Sequence, residues 1–221
     1  MNRFLRKFLL PMPRLVDWYL SKKRTYRYQN LTVEVNPGVF HPGFFSSTKM
    51  LLHFAAAQPL KGTTVLELGA GTGLISIQSA KMGAIVTATD ISLAAIENIR
   101  ANSITNQVSI TVIHSDLFRN LQGRIFDWIF INPPYYARSP VKEQDHAWYC
   151  GEHHEYFTEL FKYLPAHVAS TSQVIMILSD VCDLQAIFKI AAQYHFEFFL
   201  REERYVWTDG RNYIYQIKLL G

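Results

Sequence analysis

Asn132-Pro133-Pro134-Tyr135 follows the apolar run Trp128-Ile129-Phe130-Ile131, and its residue types suit the holding of a planar amino group. The nitrogen of an exocyclic amine or a carboxamide is a poor nucleophile because its lone pair is delocalised. Acceptors placed on both of its N–H bonds favour a pyramidal nitrogen and aim the lone pair. The Asn132 side-chain oxygen and the Pro133 carbonyl are such acceptors, and the two prolines stiffen the loop before a substrate arrives. Tyr135 offers a ring face for a planar base or amide.

About 60 residues upstream lies Glu67-Leu68-Gly69-Ala70-Gly71-Thr72-Gly73, a glycine-rich turn between an expected strand and an expected helix. Glycines there let the chain turn tightly and let a ligand approach the backbone. The helix N-terminus beyond has unpaired N–H groups and a positive dipole end, where a ligand carboxylate or phosphate would be welcome. Asp90 ends the next expected strand and can accept from two ribose hydroxyls. Asp116 follows the strand after that, where its carboxylate can accept from an adenine amino group while the Leu117 backbone N–H donates to a ring nitrogen. Acids at three successive strand ends line the edge where open α/β sheets bind ligands.

A dinucleotide fingerprint would need glycine where Leu74 stands, which disfavours NAD. Glu67 suits a cationic group better than a phosphate. S-adenosylmethionine (SAM) has an ammonium, a carboxylate and a sulfonium, and it supplies a methyl group. Methyl transfer to nitrogen needs no general base at the outset, because the departing proton becomes acidic once the nitrogen carries the methyl. Positioning and electrostatics then carry the catalysis.

The elements that must position these residues alternate. Expected strands cover 64–68, 85–89, 108–113, 126–131 and 173–178, with helices over 73–81, 92–102, 152–169 and 182–194. Pro165 should break the third of these helices near its end, and Ser92 should cap the second. A terminal antiparallel pair over 196–204 and 213–219 is joined through Asp209-Gly210. Nearly continuous apolar strands in βαβ order imply a doubly wound α/β fold with a mostly parallel seven-stranded sheet and an antiparallel C-terminal strand. Ahead of it, 15–23 reads as a short helix and 25–35 as a small hairpin or strand centred on Asn30. A helix ending at Gln58 starts from a cap at Ser47 or Thr48. Residues 1–45 form an extension and 46–221 the catalytic domain.

The chain has 221 residues, 49% hydrophobic and 18% charged, enough for one α/β domain without a disulfide or metal staple. Cys150 and Cys182 lie far apart with no CxxC spacing, which favours a reducing cytoplasm over a structural zinc site. His114, His146, His153 and His154 share no metal-ligand spacing, so no metal is expected. No apolar run approaches the roughly 20 residues needed to span a bilayer. The net charge of +4 hides an asymmetry: residues 1–28 hold eight of the 22 bases and one of the 18 acids, leaving 14 bases and 17 acids in the rest. Any basic footprint for nucleic acid therefore lies in the N-terminal arm and not across the body; the arm reads equally as a solvated amphipathic helix and hairpin packed against the body. A polar loop from Ala137 to Gly151, bracketed by Tyr135, Tyr136, Trp148 and Tyr149, is either a wall over the acceptor pocket or packing on the sheet edge.

Taken together, Val65-Leu66-Glu67-Leu68-Gly69-Ala70-Gly71-Thr72-Gly73, Thr89-Asp90, Ser115-Asp116-Leu117 and Ile131-Asn132-Pro133-Pro134-Tyr135 resemble the class I SAM-dependent methyltransferases. Within that class the chain looks most like the HemK-like, methyltransferase small-domain branch, over about residues 38–219. The resemblance implies that Glu67, Gly69, Ala70, Gly71 and Gly73 hold the methionine part of SAM. Asp90, with Ile91 beside it, would hold the ribose, and Asp116 with Leu117 the adenine. Asn132 and Pro133 would bind the acceptor nitrogen. The segment from Gly38 to Thr48 is similar to one in which a Ser or Thr approaches the methionine carboxylate, which points to Thr48. The implied acceptor is macromolecular: a protein glutamine, or a base amino group of RNA, with a ribosome-associated target suggested by the basic arm. HemK-like enzymes for release factors carry a larger helical N-terminal domain than the roughly 45 residues here, which argues against that specificity. A non-catalytic nucleic-acid-binding protein on the same scaffold and an NAD-dependent oxidoreductase are the competing readings.

Overall fold

Alternating strand and helix patterns become a single twisted sheet in the computed structural model, which describes residues 21–207 and 209–220. A hairpin comes first, β1 (Arg24–Tyr28) and β2 (Leu31–Val35), followed by α1 (Ser46–Ala56). The body then runs β3 (Thr64–Leu68), α2 (Leu74–Lys81), β4 (Ile85–Asp90), α3 (Leu93–Thr105), β5 (Thr111–His114) and β6 (Trp128–Ile131). It closes with α4 (Glu155–Tyr163), β7 (Gln173–Ser179), α5 (Leu184–Gln193), β8 (Phe196–Val206) and β9 (Gly210–Leu219). The seven-stranded sheet has the order β5-β4-β3-β6-β7-β9-β8. Its first five strands are parallel, and β9 runs antiparallel to both β7 and β8. This is the expected α/β architecture.

Strands in the middle of such a sheet must bury both faces, and their sequences show how. Ile129 and Ile131 of β6, with Val174, Met176 and Leu178 of β7, pack with Phe157, Phe161 and Ile187 of α4 and α5. The intervening Trp128, Phe130, Ile175 and Ile177 pack with Met50, Leu51, Leu74 and Ile77 of α1 and α2 on the opposite face. Leu31 and Val33 of β2 join that second cluster, so the hairpin shares the core of the body.

The hairpin is fastened by a feature that the sequence reading did not anticipate. Asn98, Asn102 and Asn106 stand four residues apart along α3 and meet the free edge of β2. The backbone N–H groups of Asn36, Glu34 and Thr32 donate to their respective side-chain oxygens at 2.7, 2.7 and 3.2 Å. The amide nitrogens of Asn98 and Asn102 donate back to the Glu34 carbonyl, and that of Asn106 to the Thr32 carbonyl. Four residues of helix advance about 6 Å and two residues of strand about 6.6 Å, so the two periods nearly coincide. Three carboxamides thus act as the neighbouring strand that β2 lacks. Asn102 also donates to the Thr72 carbonyl at 3.0 Å, which ties the hairpin to the glycine turn.

Several boundaries differ from expectation for local reasons. Neither Ser47 nor Thr48 caps α1. The helix starts at Ser46, and its N-cap position, Phe45, makes no side-chain cap. The Asp209 carboxylate, far along the chain, accepts from the Ser46 N–H at 2.6 Å and from the Ser46 hydroxyl. β5 begins at Thr111 rather than Val108, because the Val108 N–H is drawn back to the Ser103 carbonyl at the end of α3. α4 starts at Glu155, after His154 in the left-handed region, and gives way at Pro165 to a short 3-10 turn over Leu164–His167. α5 starts behind Asp183, whose side chain accepts from Ala186 N–H. Ser92 does cap α3, accepting from the Ala95 N–H at 3.5 Å. The expected helix over 15–23 lies mostly outside the described residues, and Ser21 to Lys23 are not helical. Among the described residues no helix is long and apolar enough to cross a membrane.

Asn102 is fully buried and holds three backbone groups; its removal strips the Glu34 N–H and the Thr72 carbonyl of their carboxamide partner and leaves the Glu34 carbonyl with Asn98 alone. Asn102→Ala should lower the unfolding free energy by about 2–4 kcal/mol. Urea denaturation followed by circular dichroism measures this, and a loss below about 0.5 kcal/mol would contradict the ladder's role.

Candidate functional site

The register of the parallel strands decides what can meet at their ends. Leu68 pairs with Thr89 on one side and with Ile131 on the other, and Asp90 pairs with His114. The next residues, Gly69, Asn132 and Ser115, therefore leave the sheet at one edge, beside Asp90. The strand order also reverses at β3, with β4 to one side and β6 to the other, which opens a crevice at the carboxyl ends. A cavity of about 450 Å³ occupies it, lined by residues of the glycine turn, Asp90, Asp116, Asn132 to Tyr136 and Thr48.

Gly69, Gly71 and Gly73 all have positive φ, at 71°, 55° and 74°. A Cβ on Gly69 would meet no atom within 4 Å and would project into open space, whereas one on Gly73 would press on Ile99 at 3.1 Å. The turn thus needs glycine for conformation throughout, for ligand room at Gly69 and for helix packing at Gly73. Ala70 N–H donates to the Thr89 carbonyl and Gly71 N–H to the Asp90 carboxylate, both at 2.8 Å, so the turn is fastened to β4.

Glu67 takes a position that the sequence reading had left for a ligand. Its carboxylate accepts from the Ser76 N–H at 2.7 Å and from the Ser76 hydroxyl, in the first turn of α2. The anion at this helix N-terminus is therefore the protein's own. Burial is the largest influence on Glu67, ahead of the opposing Ser76 bonds, and pushes its carboxyl up to about 7. Asp90 is fixed by two backbone donors, Gly71 N–H on one oxygen and Ser92 N–H on the other. Its carboxyl is also raised, chiefly by burial. Each Asp90 oxygen still has acceptor capacity toward the cavity.

Asp116 lies on the cavity wall, paired on its exposed side with Arg119 at 3.2 Å. Leu117 holds φ of 47°, and its carbonyl accepts from the Ser115 hydroxyl. Ile91 reaches the cavity while its carbonyl contacts His114 Nε2 at 2.7 Å. The buried phenol of Tyr156, which the sequence reading missed, also lines the cavity, and both Asp90 and Asp116 act on it electrostatically.

Asn132 and Tyr135 form a connected pair, the Tyr135 hydroxyl donating to the Asn132 side-chain oxygen at 3.0 Å. Burial drives the Tyr135 phenol far above its ordinary range, so it stays protonated. Its ring packs against the core cluster of α4 and α5 as well as the cavity. Tyr135 is thus a built-in support for Asn132 rather than a free platform. Thr48 is buried on the cavity wall.

The loop after Tyr135 is a wall of this cavity. Tyr136 N–H donates to the Trp148 carbonyl and Cys150 N–H to the Tyr136 carbonyl, each at 2.9 Å, closing its base. Farther out, Glu143 accepts from the Leu93 N–H at the start of α3. Phe40 and Phe45 complete the aromatic lining with Trp148. Their only signal in sequence was two phenylalanines within a Pro/Gly-rich segment ahead of a helix.

The fold and this crevice define a Rossmann-like α/β protein of the methyltransferase type. The chain belongs to the methyltransferase small domain family, whose profile matches residues 30–148, more than half of it. A Methanocaldococcus jannaschii protein that carries the provisional name of a protein N5-glutamine methyltransferase is 36% identical over 118 residues, 53% of this chain and 57% of that one. The ribosomal RNA small subunit methyltransferase C of Yersinia pseudotuberculosis is 34% identical over 114 residues, 51% of this chain and 32% of that one. The chain thus spans about half or less of the length of such relatives. The solved T. thermophilus 16S rRNA N2 G1207 methyltransferase, in complex with AdoMet and guanosine, superposes with a TM-score of 0.64. It is 20% identical, and the match covers 90% of this chain and 50% of that one, which shows a shared fold.

The raised Glu67 carboxyl makes stability depend on pH. Between about 4.5 and 7 the folded chain keeps a proton that the unfolded chain has lost, so Glu67's contribution to stability falls as pH rises through that window. The loss is at most about 3 kcal/mol. Glu67→Gln should flatten this part of the profile, as measured by thermal melts from pH 4.5 to 8. An unchanged slope in the variant would contradict the assignment.

Proposed function

We propose that this chain is a SAM-dependent N-methyltransferase acting on a planar amino nitrogen, either a protein glutamine side chain or a base amino group of RNA. The observation that carries the reading is the shared sheet edge: the glycine turn with Asp90 and the Asn132 loop leave adjacent parallel strands at one level and face one cavity. The residues present fit SAM. Open space beside Gly69 admits a ligand against the backbone, and acids rather than bases face it.

Asp90, its carboxylate aimed by Gly71 and Ser92, would accept from the ribose hydroxyls. Asp116 would accept from the adenine amino group, with Arg119 turned outward, and the backbone beside it at Leu117 would donate to the ring. Glu67, whose Oε2 is engaged by Ser76, would meet the ammonium through its other oxygen. Gly69, Ala70, Gly71 and Gly73 shape the backbone around the methionine portion, and Thr48 would reach its carboxylate. When bound, SAM supplies an electrophilic methyl group on a sulfonium centre.

Asn132 and Pro133 then do the positioning. Tyr135 engages one lone pair of the Asn132 oxygen and leaves another for an acceptor N–H. The Pro133 carbonyl would take the second N–H. Both acceptors are fixed before the substrate arrives, so little of the barrier is spent on ordering them. After transfer the nitrogen carries a positive charge, and its proton leaves to water. The names of the relatives, one for glutamine and one for ribosomal RNA, support a macromolecular acceptor.

Titration calorimetry with SAM and S-adenosylhomocysteine tests the cofactor assignment. Saturable binding is expected, and its absence at several hundred micromolar would remove the proposal. Asn132→Ala should keep S-adenosylhomocysteine affinity within about threefold while lowering turnover by 10²-fold or more. Near-normal kcat in that variant would refute the acceptor role.

A further inference from the structure

The surroundings of Asn132 are aromatic to a degree that a side-chain amide does not require. Phe40 and Phe45 stack at 23° with centroids 5.5 Å apart, and Trp148 lies 5.1 Å from Phe40 and 5.5 Å from Phe45. All three rings are half-buried and face the cavity. Their neighbours place them on the acceptor side. The Trp148 carbonyl accepts from Tyr136 N–H, one residue beyond Tyr135. Phe45 immediately precedes Ser46 and Ser47, and Ser47 approaches the Tyr135 hydroxyl.

A carboxamide on an aliphatic stem has one small planar group to set against these rings. A purine or pyrimidine presents a whole π-face, and stacking on aromatic side chains recognises any base regardless of sequence. One further feature agrees. Trp207, 76% exposed, stands two residues before Asp209, which binds the head of α1 just beyond Phe45.

We propose that the acceptor is the amino group of an unpaired nucleobase in a nucleic-acid strand, held against Phe40, Phe45 and Trp148. The proposal rests on the methyltransferase reading and narrows it. Trp148 is the specificity-determining residue, and Trp207 takes a flanking base.

The test uses the full chain saturated with S-adenosylhomocysteine. Fluorescence anisotropy compares a fluorescein-labelled mixed-sequence RNA strand, the same sequence as DNA, and the RNA duplex. Single strands should bind at least tenfold more tightly than the duplex. Trp148→Ala should weaken strand binding roughly 5- to 100-fold, the range of one stacked base. Trp148→Phe should recover most of the loss and Trp148→Leu little of it, with S-adenosylhomocysteine affinity unchanged in all three. A packing role would let Leu rescue as well as Phe. In cell extract, label from tritiated SAM should be lost on RNase treatment, and loss on DNase instead would assign the same chemistry to DNA. Strand binding unaffected by Trp148→Ala, equal rescue by Leu, or label removed only by protease would overturn the proposal while leaving a glutamine methyltransferase standing. Failure of the wild-type chain to bind S-adenosylhomocysteine would remove both readings.

Discussion

Parallel pairing of β3 with a strand on each side is the constraint on which the site depends. Parallel strands in register end together, so a side chain placed just after one lies within about 5–10 Å of its counterparts after the next two. Leu68, Thr89 and Ile131 share one level, and the glycine turn, Asp90 and Asn132 follow from it. A slip of one residue in either pairing would turn the buried rows outward, so the two core faces hold the register and, through it, the site.

What the sequence made legible follows from how local each signal is. The glycine turn, the acids and the Asn-Pro-Pro-Tyr run are contiguous motifs at strand ends, and a periodic apolar pattern says where those ends fall. Features that depend on distant partners were not legible. Asn98, Asn102 and Asn106 read as an ordinary polar stripe until β2 is seen against them. Ser47 and Thr48 have the composition of a helix cap, yet Asp209 performs that task from the far end of the chain. Glu67 was read as an acid suited to a cationic ligand group, and nothing local revealed that its carboxylate would also accept from Ser76 and close the helix. Tyr135 looked like an open ring face because nothing local revealed that its hydroxyl would turn inward to Asn132.

Backbone polar groups explain why so many buried polar side chains surround this site. A sheet edge, a glycine turn and two helix N-termini converge on it, and each brings donors or acceptors that cannot be left bare. The protein meets them with its own carboxylates and carboxamides: Glu67 for α2, Asp90 for the turn, Asp209 for α1 and the three asparagines for β2. Groups already committed in this way are oriented before any ligand arrives, which favours electrostatic complementarity without reorganisation.

The bond from Asp209 to Ser46 spans 163 positions. During synthesis the glycine turn and the Asn132 loop emerge well before the hairpin tip that secures the head of α1. The central strands can pair while the chain is still growing, but the wall carrying Phe45 and Thr48 gains its anchor only when β8 and β9 have been made. Completion of the cavity is therefore a late event in folding, governed by a long loop closure rather than by the local order of the motifs that line it.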